Sequence, residues 1–201
     1  MELWFLASLL AVGTLVLKSR EQQRRIALLG QHLGEYRVEK LMETLTQGYL
    51  RALGEADPER AGPIWQLLAS AEQDLATQFS RFAAGFARVD AAQTRVSKIP
   101  WALPLADRWL PQATFDVRAA FQLHADGIAR VVGNAAGLGP KDKAFTLSAE
   151  LFLMQHTCHW FCRSKATASA RVLVRHQTPH AQLVASVSPE TRAGYTALTG
   201  G

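Results

Sequence analysis

Fifteen residues near the N-terminus, "LWFLASLLAVGTLVL" from Leu3 to Leu17, carry no charge and no strongly polar side chain. This run limits what the chain can be. As a helix rising about 1.5 Å per residue, residues 1–18 span roughly 27 Å, close to the ~30 Å hydrocarbon thickness of a bilayer. Lys18 can extend the reach by snorkelling to the headgroups. A cleaved secretory signal fits poorly, because Glu2 stands where a basic flank belongs and no small-x-small site precedes Lys18. A helix lying in the membrane surface also fits poorly, because the run is apolar on all sides. The expectation is a single transmembrane anchor at 1–18.

Charge orients it. Lys18, Arg20, Arg24 and Arg25 crowd the C-terminal flank, against Glu2 alone on the other side. The positive-inside rule places the N-terminus outside and residues 18–201 in the cytoplasm. Arginine exceeds lysine and alanine is abundant, which suggests a GC-rich bacterial genome and hence an inner membrane. Both cysteines should then be free thiols. The net charge of +5 is modest, and acids and bases balance over 57–140. No block of like charge resembles a nucleic-acid arm, so nucleic acid is not an expected partner.

Beyond Lys18 no Gly or Pro interrupts the chain before Leu29. Ile26, Leu29, Leu33 and Tyr36 keep helical spacing, and the register then shifts to Val38, Leu41, Leu45 and Tyr49. Residues 19–56 read as a stalk-like helix joining a bundle that occupies 57–201. Asp57 and Pro58 read as cap and first position of the next helix. That helix carries Leu68, Ala71, Leu75, Phe79, Phe82, Phe86 and Val89 on one stripe, with Glu72, Asp74, Arg81 and Arg88 mostly off it. A Pro/Trp-rich connection at 98–112 follows, with Pro100, Pro104 and Pro111 excluding a regular helix. Its Trp101 and Trp109 are candidate interface residues. Thr114 is the expected cap of a helix running to about Asn134, with His124 on its apolar face. Gly137–Lys141 lacks the strand and the Gly-Lys-Ser/Thr of a phosphate loop. From Lys141 a helix should run to about Arg175, and Ser188-Pro189 opens a final one. No strand pattern of useful length is visible. The fold class is therefore all-α, an N-terminal transmembrane helix continuing into a cytoplasmic bundle of about four to five helices.

The stretch "LMQHTCHWFC" at 153–162 holds both cysteines. With His156 at zero on a helical wheel, Cys158 falls at about 200°, Cys162 at about 240° and His159 at about 300°. Two thiols and an imidazole on one face could hold a soft metal, so His156, Cys158, His159 and Cys162 form a candidate metal or redox cluster. Against this, Leu147, Leu151, Met154 and Phe161 share that stripe, and free cysteine behaves as a small hydrophobe. Filler in the bundle's central helix is the favoured reading. His156 points to another face, where His176 and His180 could join it if the chain folds back after Pro179. Glu150, if buried, needs a partner such as an arginine or histidine. No catalytic motif and no cofactor signature is present, which weakens an enzyme. The expected function is a membrane-anchored interaction module (adaptor, scaffold or regulator) with the bilayer and other proteins or itself as partners. A metal, ligand or redox sensor at 156–162 is the alternative.

Overall fold

The computed structural model describes residues 2–101 and 110–200, with the side chains of Glu2, Leu3 and Pro58 excepted. Among the described residues the chain is helical apart from one small hairpin. Its described elements are α1 (Glu2–Leu33), α2 (Val38–Gly54), α3 (Pro58–Phe86), β1 (Arg95–Ser97), β2 (Thr114–Asp116), α4 (Val117–Gly133), α5 (Pro140–Cys162), α6 (Lys165–His176), α7 (His180–Ser186) and α8 (Pro189–Thr199). Eight α-helices among the described residues, α1 included, replace the N-terminal helix and the four or five bundle helices expected. Pro104 and Trp109 lie outside the described residues.

Two unanticipated breaks account for much of the difference. The first falls at Gly34–Arg37, between α1 and α2, where the sequence shifts register. A Cβ on Gly34 would stand 2.7 Å from the Gly30 carbonyl oxygen, so only glycine fits the turn. Gln78 of α3 accepts the Arg37 amide at 2.8 Å and holds α2's entry. The second break falls at Arg163, inside what reads as one helix from 141 to 175. Arg163 leaves helical geometry at φ −133°, ψ −87°. Ser164 then caps α6, its hydroxyl accepting the Thr167 amide at 3.2 Å.

The hairpin is a second correction. β1 and β2 pair antiparallel, Val96 opposite Phe115. Three residues per strand are too few to register as alternation. Thr114 belongs to β2, and the cap of α4 is Asp116, whose carboxylate accepts the Arg118 amide at 3.0 Å. The hairpin is clamped to α5 by Trp160, which donates its indole N–H to the Ser97 carbonyl at 2.9 Å. The Trp160 ring meets Phe115 edge-on at 4.9 Å.

The phenylalanine stripe of α3 lies where its spacing predicts. Phe79, Phe82 and Phe86 are buried against Phe121 of α4 at ring separations of 6.4, 5.2 and 5.1 Å, and Phe86 also meets Phe161 of α5. Glu72 departs from expectation, being buried on α3. It accepts from the Tyr49 hydroxyl at 2.7 Å and pairs with Lys143 at 2.5 Å, so its charge is matched rather than solvated. Helix α5 is central: α4, α6, α7 and the latter part of α1 all pack on it.

The first half of α1 stands clear of this body. Trp4, Phe5, Leu6, Leu9, Leu10, Val12, Leu15, Val16 and Leu17 are all exposed, Trp4 to 81%. Among the described residues, no helix is long and apolar enough to cross a membrane. The expected transmembrane helix at 1–18 falls short of that mark in the part described, and its first three side chains lie outside the described set.

Candidate functional site

The candidate cluster at 156–162 is dispersed around α5 rather than gathered at a point. His156 is fully buried. A helix packed on several sides leaves few faces for solvent. The Nε2 atom of His156 lies 3.0 Å from the Ser169 hydroxyl of α6, and Nδ1 lies 3.4 Å from the Tyr195 hydroxyl of α8. His180, at the start of α7, lies 4.2 Å from it ring to ring and 3.4 Å from the same tyrosine hydroxyl. The chain does fold back after Pro179. His176 takes another course, lying flat on Phe152 at 3.6 Å and bonding Gln155 at 2.8 Å. His159 faces Arg171 instead, at 3.4 Å.

Cys158 and Cys162 are partly buried against the core, and the Cys158 thiol meets the Met154 sulfur at 3.9 Å. Burial pushes both thiols up, Cys162 to about 11 and Cys158 further. Among the described residues, no three or more His, Cys, Asp or Glu side chains are arranged to hold a metal. A thiol near 11 is about a hundredfold less ionised at pH 8 than a free one. Iodoacetamide at pH 8 is therefore expected to label folded protein on the order of a hundred times more slowly than glutathione, and at the normal rate in urea. Fast labelling of the folded chain would mean that the sulfurs are poised for chemistry.

A second buried polar group links α4, α5 and α8. Glu150 is completely buried, and its hydrogen-bond partner is neither arginine nor histidine, although the charge of Arg130 acts on it. One carboxylate oxygen accepts the Ser188 amide at 3.0 Å and the Ser188 hydroxyl at 2.7 Å. Ser188 is the N-cap of α8, and its own side chain makes no capping bond. Glu150 thus caps α8 from another helix, with a carboxyl oxygen accepting at the positive helix terminus. Burial outweighs those bonds and raises its pKa, favouring the protonated form. His124 is buried as expected, with Nε2 at 2.8 Å from the Thr157 hydroxyl. With that hydroxyl donating to the Leu153 carbonyl at 3.1 Å, His124 is the donor to it. Its Nδ1 then points a lone pair at apolar surroundings, with no partner among the described residues. Burial holds His124 at about 3, and burial with His180 nearby holds His156 at about 2.

These networks are closed to solvent and tie helices together. The surface offers two other features. An open cleft of about 570 Å³ runs between α2, α5 and the ends of α6 and α7, floored by residues such as Leu50, Phe145 and Phe152 and edged by Arg175 and Gln182. Neither Trp101 nor the cleft was tied to the cysteine motif by the sequence. Trp101 is 71% exposed beside the junction of α1 with the bundle. The chain matches no protein-family model, no curated protein and no solved structure.

Proposed function

We propose that this protein is a membrane-tethered helical interaction module, held by the first half of α1 and presenting its bundle to partners. The observation that carries this reading is the exposed apolar rod from Trp4 to Leu17. Nine large apolar side chains stand there in contact with no other element's core. At about 1.5–3 kcal/mol each, moving them out of water contributes on the order of 15 kcal/mol. A helix with that much unburied apolar surface on all sides needs an apolar surrounding. The described rod is about 21 Å long, shorter than the hydrocarbon layer, and local thinning with Lys18 snorkelling can absorb such a mismatch. The basic flank at Lys18, Arg20, Arg24 and Arg25 favours a cytoplasmic bundle. The cleft along α2 and α5 supports the interaction part, since an apolar floor with a polar rim suits an amphipathic partner segment.

Flotation with phosphatidylcholine vesicles tests the tether. The full chain is expected to float and to resist carbonate extraction. The Leu6→Glu/Leu10→Glu variant, which changes only exposed side chains, is expected to remain folded and stay at the bottom of the gradient. A full chain that remains monomeric in the aqueous layer would refute the reading.

A further inference from the structure

We propose that the notch where α1 meets the end of α5 binds the phosphate headgroup of an anionic lipid; this rests on the tethered reading above. Lys18, Gln22 and Arg25 of α1 line it, facing Trp101, Arg163 and Ser164. Charge comes first. Arg25 is committed to structure: it pairs with Glu21 at 2.5 Å and donates to the Arg95 and Phe161 carbonyls at 3.0 and 3.3 Å. In doing so it neutralises Glu21, the carboxylate that lines the notch. Lys18 makes no ion pair among the described residues. Arg163 is exposed, and among the described residues its side chain's one hydrogen bond is Nη1 donating to Gln22 Oε1 at 2.8 Å. Two positive charges and unspent guanidinium N–H groups therefore face an opening whose negative charge is already matched. Guanidinium geometry suits phosphate oxygens.

Size and depth narrow the ligand. The notch has a volume of about 20 Å³, which admits a water-sized group such as a phosphate oxygen and nothing as large as an acyl chain. The apolar rod ends at Leu17. Lys18 lies one residue beyond it, and Gln22 only about 7 Å further along the axis. With the rod in hydrocarbon, that is headgroup depth. Trp101, exposed on the same rim, is the side chain that favours this layer. A phosphate met at this depth is one attached to lipid.

Native mass spectrometry of the detergent-solubilised full chain, titrated with phosphatidylglycerol and with phosphatidylcholine, tests the site. Phosphatidylglycerol is expected to bind preferentially. Lys18→Gln/Arg163→Gln should weaken it on the order of twentyfold, since each removed charge costs about fivefold near an anionic surface. Flotation of the single Arg163→Gln variant, which keeps Lys18, with pure phosphatidylcholine vesicles should be unchanged. Equal binding of the two lipids, or preference kept by the double variant, would overturn the site while leaving the tether standing. Failure of the wild type to float would remove both. Displacement of the lipid by equimolar inorganic phosphate or by an oligonucleotide would overturn it in favour of a soluble phosphate or nucleic acid.

Discussion

Acidification from pH 6.5 to 4.5 is expected to cost the folded bundle about 5 kcal/mol through His124 and His156. Both are held far below the ordinary histidine value, at about 3 and about 2. The unfolded chain takes up protons below about pH 6.5 while the folded chain does not. The stability these neutral rings contribute is thus complete above that pH and is lost as pH falls, at about 1.4 kcal/mol per unit per histidine. The structural cause differs between the two. Protonated His124 would carry an N–H on Nδ1 with no acceptor among the described residues. Protonated His156 would face the His180 ring at 4.2 Å, with Lys165 adding further positive charge. Glu150 works in the opposite sense: its raised pKa makes the folded state the better proton acceptor, so acid relieves it and offsets part of the loss. Urea titrations at pH 7.0, 5.5 and 4.5 measure the slope. The His156→Gln variant, whatever its stability at pH 7, should lose about one proton from it. An unfolding free energy that is flat between pH 6.5 and 5.5 would show that these rings are not buried neutral.

What the sequence disclosed depended on how local its signals were. The α3 stripe, the Asp57-Pro58 start and the Ser188-Pro189 start involve neighbours along the chain, and each lies where spacing puts it. The break at Arg163 was hidden because Ser164 sits among helix-forming residues and its capping bond is to the Thr167 amide, a geometry with no distinct spelling. Glu150's partner was hidden for another reason, since Ser188 is 38 residues away and enters only through tertiary packing. A helical wheel gives His156 a direction but not what lies there, and α5 is enclosed by α4, α6 and α7. The wheel did separate the cysteines from His156, and the structure keeps them apart. The notch was illegible because it assembles three distant segments, although Lys18 lies at the end of the apolar run that the sequence marks.

Gly127→Ala is expected to destabilise the protein by about 3 kcal/mol, against the gain of nearly 1 kcal/mol that helix propensity alone forecasts. Gly127 lies in the middle of α4, where α5 and α8 approach closely. A Cβ there would stand 2.3 Å from the Thr191 hydroxyl and 2.8 Å from a Glu150 carboxylate oxygen. Thr191 and Glu150 are both fully buried and both bonded to Ser188, so neither can swing away without giving up a bond to that residue. Gly85→Ala in α3 is the control: beyond its chain neighbours nothing lies within 4 Å of its Cβ, so propensity should prevail and stability should rise slightly. A double-mutant cycle then locates the strain. Thr191→Ala removes the atom of closest approach, so adding it to Gly127→Ala should cost less than adding it to the wild type, with a coupling of about 1 kcal/mol or more. If Gly127→Ala is as stable as Gly85→Ala, α4 and α8 do not pack as closely as the polar network requires, and the capping of α8 by Glu150 fails with them.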